Sequence, residues 1–140
     1  MATLAPAPTA SPPATVWAGR VLTGLFALFM LGASIAPKLL GMPVAGETIE
    51  ALGWSRDFVP MIGLFELTFV ALYLIPRTSV LGAVLMTALL GGAMATHIRV
   101  GSPLLSHTLF SIYLALFMWG GLWLRSPALR AVFPLKAAKD

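Results

Sequence analysis

Six side chains of types that do chemistry lie in or beside long apolar runs of this sequence: Lys38, Glu66, Tyr73, His97, Arg99 and His107. Glu66 is the most anomalous. Its surroundings, "MIGLFELTFVALYLIP", are apolar or small apart from Thr68 and Tyr73. An ionised group facing hydrocarbon costs about 3 kcal/mol or more, so such groups pair inside a bundle or line a cavity. Three uses of the carboxylate follow. Beside an imidazole it forms an acid–base pair, and beside a quinone head group it relays protons. Beside an ammonium or imidazole it can also simply hold two helices in register. Lys38, Arg99 and His107 have an alternative of their own, as span-end residues whose polar tips reach water.

The elements that must position these groups are helices in a membrane. Of 140 residues, 59% are hydrophobic and only 10% charged, where a soluble domain carries about a quarter charged. The net charge of +4 is spread singly, which argues against a nucleic-acid partner. The absence of cysteine excludes disulfide exchange, iron–sulfur clusters and cysteine zinc sites, and no metal site is expected. The opening "MATLAPAPTASPPAT" has neither a basic residue nor an apolar core, so it is not expected to be a signal peptide. Residues 1–15 read as a disordered Pro/Ala-rich tail.

Four apolar runs follow, over about 16–38, 58–75, 79–97 and 103–124. Each is near the ~20 residues a helix needs to cross the hydrocarbon core. The expected fold is all-α, an integral membrane four-helix transmembrane bundle, with residues 125–140 as a basic tail. Arg20, Arg77, Arg125, Arg130, Lys136 and Lys139 lie on the side of the termini; Lys38, Arg56 and Arg99 lie on the other. The excess places both termini in the cytoplasm. The turn "PRTS" makes spans two and three antiparallel neighbours. In span three, Ala83-Thr87-Gly91-Ala95 and Ala88-Gly92-Thr96 form small-residue rows that are expected to pack closely against other helices. The loop "GMPVAGETIEALGWSRD" holds Ile49, Leu52 and Trp54, either as a short amphipathic turn or as a solvated connector.

Depth then groups the polar residues. Lys38 lies 18 residues beyond Arg20, ~27 Å along the helix, and Glu66 lies eight residues beyond Phe58, ~12 Å deep. His97, Arg99 and His107 fall at the same outer boundary as Lys38. Glu66 is therefore expected to meet Lys38 or His97 in the outer half of the bundle. Tyr73 and Gly63 share the Glu66 face, which is expected to be polar and accessible. Haem is not expected, because both histidines lie near one interface.

The segments "GRVLTGLFALFMLGASIAPKLL" and "IGLFELTFVALYLIPRTSVLGAVLMTALLGGAMATHIRVGSPL" resemble the DoxX-like family of small bacterial membrane proteins, and the resemblance runs from about Trp17 to Pro134. It implies four transmembrane helices in the inner membrane. It also places Lys38, Glu66, His97 and Arg99 among the family's typical residues, with His107 shared by a subset. The family name comes from a subunit associated with thiosulfate:quinone oxidoreductase. For some members this implies a quinone as cofactor; other relatives resemble partners of membrane complexes.

No catalytic motif stands out. The first expectation is a protein that binds a small lipophilic ligand or a membrane partner in an outward-facing polar pocket around Glu66. The second is an accessory subunit of a quinone-linked oxidoreductase, and the third an enzyme using Glu66 and His97 as acid and base. The partners expected are the lipid bilayer, a lipophilic small molecule, and a second membrane chain, a further copy included. The orientation has a direct test. A cysteine placed at Ser102 or Gly46 should react with an impermeant thiol reagent in intact cells and one at Ala138 should not; the opposite pattern contradicts it.

Overall fold

The computed structural model describes residues 12–135. Helix α1 runs over Ala14–Leu39. It is α-helical over Ala14–Phe29, widens to a π-helix over Met30–Ile35, and resumes over Ala36–Leu39. The cause lies in Pro37, which has no N–H to donate and a ring that collides with the carbonyl four residues back. A turn at Gly41, whose φ of +67° suits a residue without Cβ, leads to α2, Pro43–Ala51. Helix α3 spans Arg56–Leu74 and begins with a single 3₁₀ turn, Arg56–Phe58, in which the Ser55 hydroxyl accepts the Asp57 N–H at 3.2 Å. Helix α4 is Ser79–Arg99. Helix α5, Leu104–Arg125, opens with a π-helical turn, Leu104–Thr108, behind Pro103. The short α6, Pro127–Val132, is capped by Ser126, which accepts the Leu129 N–H at 3.2 Å. There is no strand among the described residues.

Helices α1, α3, α4 and α5 are each long and apolar enough to cross a membrane. At most a third of each apolar window is buried inside the bundle, so most of this apolar surface faces outward. Leu28, Leu64 and Leu116 are all more than half exposed. In water such a surface would drive aggregation; in lipid it is the solvated face. The protein is a membrane-spanning four-helix bundle. Each helix packs on two neighbours, in the order α1–α5–α4–α3 and back to α1. Phe26, Met30, Val70, Tyr73, Ala83, Met86, Met118 and Leu122 fill the interior.

Three sequence expectations change. Of the small-residue rows of α4 only Ala83 packs in the core: Gly91, Gly92 and Ala95 are exposed, and a Cβ on Gly91 or Gly92 would meet nothing. The close approach occurs one end lower, at Gly82, where a Cβ would run into the backbone of Tyr73 on α3. Gly19 and Gly121 do the same for α1 against α5. The loop after the first span contains a nine-residue helix, α2, rather than a turn, and it lays Ala45 and Ile49 on Val59 and Ile62 of α3. The tail expected over residues 125–140 contains α6; residues 136–140 lie outside the described part. At the other end α1 begins at Ala14, and residues 1–11 of the expected tail also lie outside it.

These contacts reverse the expected sensitivity of α4. Gly82→Val should destabilise the bundle by about 2 kcal/mol or more, as overpacking against a backbone does, while Gly92→Leu should leave the melting temperature in detergent near that of the unmodified protein. Melting curves of the two variants decide it; the reverse order contradicts the packing.

Candidate functional site

Glu66 sits on the inner face of α3 together with Gly63, Val70 and Tyr73, and is 7% exposed. Its partner is Lys38. The ammonium reaches both carboxylate oxygens, at 3.1 and 3.0 Å. The same Nζ donates to Ser34 Oγ at 2.7 Å and to the Ser34 carbonyl at 3.2 Å. Ser34 in turn donates its one hydroxyl proton to the carboxylate, with 3.0 Å to either oxygen. The three groups close a ring. All three N–H bonds of the ammonium are used, and the hydroxyl both accepts and donates. The carboxylate receives two donors and retains acceptor capacity, since its two oxygens offer about four lone-pair positions.

The helices explain why these groups meet. Ser34 lies in the π-helical segment of α1, four residues before Lys38 on the same helix. The Met30–Leu39 end of α1 supplies nearly all of its packing against α3, because the lower part leans on α5. Gly63 makes the contact close: a Cβ there would lie 2.9 Å from Lys38 Cβ and 3.1 Å from Leu39 Cδ2. With no side chain in the way, the Lys38 stem lies flat on α3 and its ammonium arrives one turn further on, at Glu66. The side chains of Lys38 and Glu66 are 14% and 9% exposed, so this is a desolvated pair, worth keeping intact because removing one charge strands the other. The other ion pair, Glu50–Arg56 at 2.9 Å, is half exposed and contributes little. Its hydrogen bond to Arg56 holds the Glu50 carboxyl below the usual range.

The remaining candidates lie elsewhere. His97, the other expected partner of Glu66, has its Nδ1 on Ser102 Oγ at 2.9 Å. Its ring stands beside that of His107, with centroids 5.7 Å apart. Arg99 is exposed and donates to the Leu52 carbonyl at 2.6 Å, fastening the end of α2 to the end of α4. Tyr73 does not share an accessible face with Glu66: it is fully buried, ~10 Å further along α3. Its hydroxyl donates to the Met118 carbonyl at 2.8 Å, so the Thr23 hydroxyl, 3.1 Å away, is the donor toward it. Those bonds knit α1, α3 and α5 together. Two apolar grooves also mark the surface. One, of about 250 Å³ between α4 and α5, is floored by Gly91 and Ala115; the other, of about 650 Å³, is walled by Trp123, Leu129 and Phe133. Neither is lined by Glu66 or Lys38.

Fold and site together define a small membrane-spanning four-helix bundle with, among the described residues, one buried ion pair near the end opposite its termini. The chain belongs to the DoxX-like family, whose model matches residues 21–121 and so takes in Ser34, Lys38, Glu66, His97, Arg99 and His107. No curated protein and no solved structure matches it.

Ser34 is the residue that sequence reasoning missed, and its contribution is measurable. Ser34→Ala removes the only hydroxyl bonded to the pair and should cost about 1–3 kcal/mol, as for a hydrogen bond to a charged group. Thr68→Ala, whose hydroxyl returns to its own helix at the Leu64 carbonyl, should cost much less. Unfolding of both variants in detergent checks the difference; equal losses would remove Ser34 from the site.

Proposed function

We propose that this protein is a membrane binding protein, with Glu66 as the anchor for the polar head of a lipophilic small molecule entering from the outer face. The observation that carries this reading is the spare acceptor capacity of the buried Glu66 carboxylate. Lys38 and Ser34 take two of its acceptor positions, and the remainder can receive a hydroxyl or N–H from a ligand. A pair that only held α1 and α3 in register would need the two charges alone. Here the helix also departs from α geometry over Met30–Ile35, and Ser34 joins the pair from within that segment. π-Helical segments are frequent at functional sites. Both termini are then cytoplasmic and the chain sits in the inner membrane, in keeping with the distribution of its Lys and Arg residues.

The enzymatic reading needs Glu66 and His97 as one acid–base pair, and the hydrogen bonds of His97 give it no support. A quinone offers only carbonyl acceptors and would need a protonated partner rather than a bare carboxylate. A ligand with a donor group fits better.

The test separates binding from architecture. Glu66→Gln and the double variant Glu66→Gln/Lys38→Met are purified in mild detergent, and co-purifying small molecules are extracted and identified by mass spectrometry. The proposal expects a lipophilic compound with a hydrogen-bond donor in the unmodified protein and its loss from both variants, while helicity and cooperative melting persist. Equal ligand content in all three overturns it.

A further inference from the structure

A second constellation lies at the same end of the bundle and uses none of the groups just described. His97 stands in the last turn of α4, His107 in the first turn of α5, and the turn between them folds the two imidazoles side by side. That turn is well determined: Gly101 adopts φ +68°, and the Ser102 N–H returns to the His97 carbonyl at 3.0 Å. The ring centroids are 5.7 Å apart and the ring planes cross at 62°. Each ring has one nitrogen engaged by a serine. His97 Nδ1 is 2.9 Å from Ser102 Oγ, and His107 Nδ1 is 2.8 Å from Ser106 Oγ.

A serine hydroxyl can either donate to Nδ1 or accept from it. In the tautomer in which Nδ1–H donates to the hydroxyl, the lone pair of the neutral imidazole resides on Nε2. An outer hydrogen bond of this kind is the usual companion of a metal-ligating histidine, because it fixes both the tautomer and the ring orientation. The separation also suits a shared ion. With ~2.1 Å from nitrogen to metal and the ring centre ~1.2 Å behind the nitrogen, two imidazoles on one ion have centroids ~5.4 Å apart at a tetrahedral angle and ~6.6 Å apart when opposed. The observed 5.7 Å falls between these limits. His97 is half-buried and His107 exposed, so the site opens to the interface.

We infer that His97 and His107 bind one divalent first-row transition-metal ion through their Nε2 atoms, with Ser102 and Ser106 as orienting partners. Neutral imidazoles suit zinc, copper and nickel, and disfavour magnesium and calcium, which take oxygen ligands. Among the described residues no third His, Cys, Asp or Glu completes the set. The remaining positions belong to water, which makes the ion exchangeable and open to a further ligand.

The experiment uses full-length protein with any affinity tag removed, in detergent near neutral pH, titrated with Zn²⁺ in a calorimeter. One saturable zinc ion per chain is expected. Outer hydrogen-bond partners are worth about 10–100-fold in affinity, so Ser102→Ala should weaken zinc about tenfold. His97→Ala and His107→Ala should each weaken it further still. Glu66→Gln should bind zinc as the unmodified protein does, which separates this site from the Glu66 anchor. Melting curves confirm that each variant is folded; His107, being exposed, provides the test should His97→Ala fail to fold. Absence of saturable binding, or unchanged binding in the folded His107→Ala variant, overturns the proposal.

Discussion

A carboxylate placed in the apolar stretch of α3 must find its counter-charge within the bundle, and much of the architecture at that end follows from this requirement. Lys38 has to lie against α3, which a side chain at residue 63 would prevent; Gly63 leaves the space. The upper part of α1 has to turn toward α3 although its lower part packs on α5. The π-helical segment ahead of Pro37 coincides with that change of partner and carries Ser34, whose hydroxyl completes the ring around the ion pair. Desolvating two charges costs several kcal/mol for each ion, so the pair stabilises the fold only because the geometry and the added hydrogen bonds are good.

The two ends of the bundle are held differently. Toward the termini Tyr73 bonds to Met118 and Thr23, Phe26 stands edge-on to the Tyr73 ring, glycines let backbones touch, and the guanidinium groups of Arg125 and Arg130 donate to the carbonyls of Tyr73 and Trp123. Toward the opposite end the contacts are polar and partly exposed, with the Ser34–Lys38–Glu66 ring, the Arg99 bond to the loop after α2, and the paired histidines.

Most of the fold was legible in the sequence because hydropathy reports burial in lipid directly. The four spans follow the apolar runs to within two residues at each end, and depth arithmetic along α1 and α3 placed Lys38 within reach of Glu66. Ser34 was overlooked for a physical reason. Hydroxyls in apolar helices commonly bond back to their own carbonyls, as Thr68, Thr87 and Thr96 do here. Only its position four residues before Lys38 distinguished it. The break in α1 ahead of Pro37 was not read from the sequence, because an apolar run conceals helix geometry. The small-residue rows misled because spacing tells which face can be approached closely and not whether a neighbour is there. Of the two histidines, depth gave the level; the serines that orient them depend on the fold of the turn.

The central claim is that Lys38 and Glu66 form a desolvated pair on which the junction of α1 and α3 depends. A double-mutant cycle tests it most directly, with unfolding free energies measured in mixed detergent micelles for the unmodified protein, Lys38→Met, Glu66→Gln and the double variant. Each single change leaves its partner without a full counterpart, whereas the double change removes both charges. The account predicts that the two single losses together exceed the loss in the double variant by about 2 kcal/mol, within the range found for contacting residues. Losses that add to within about 0.5 kcal/mol, as they do for independent sites, would contradict it.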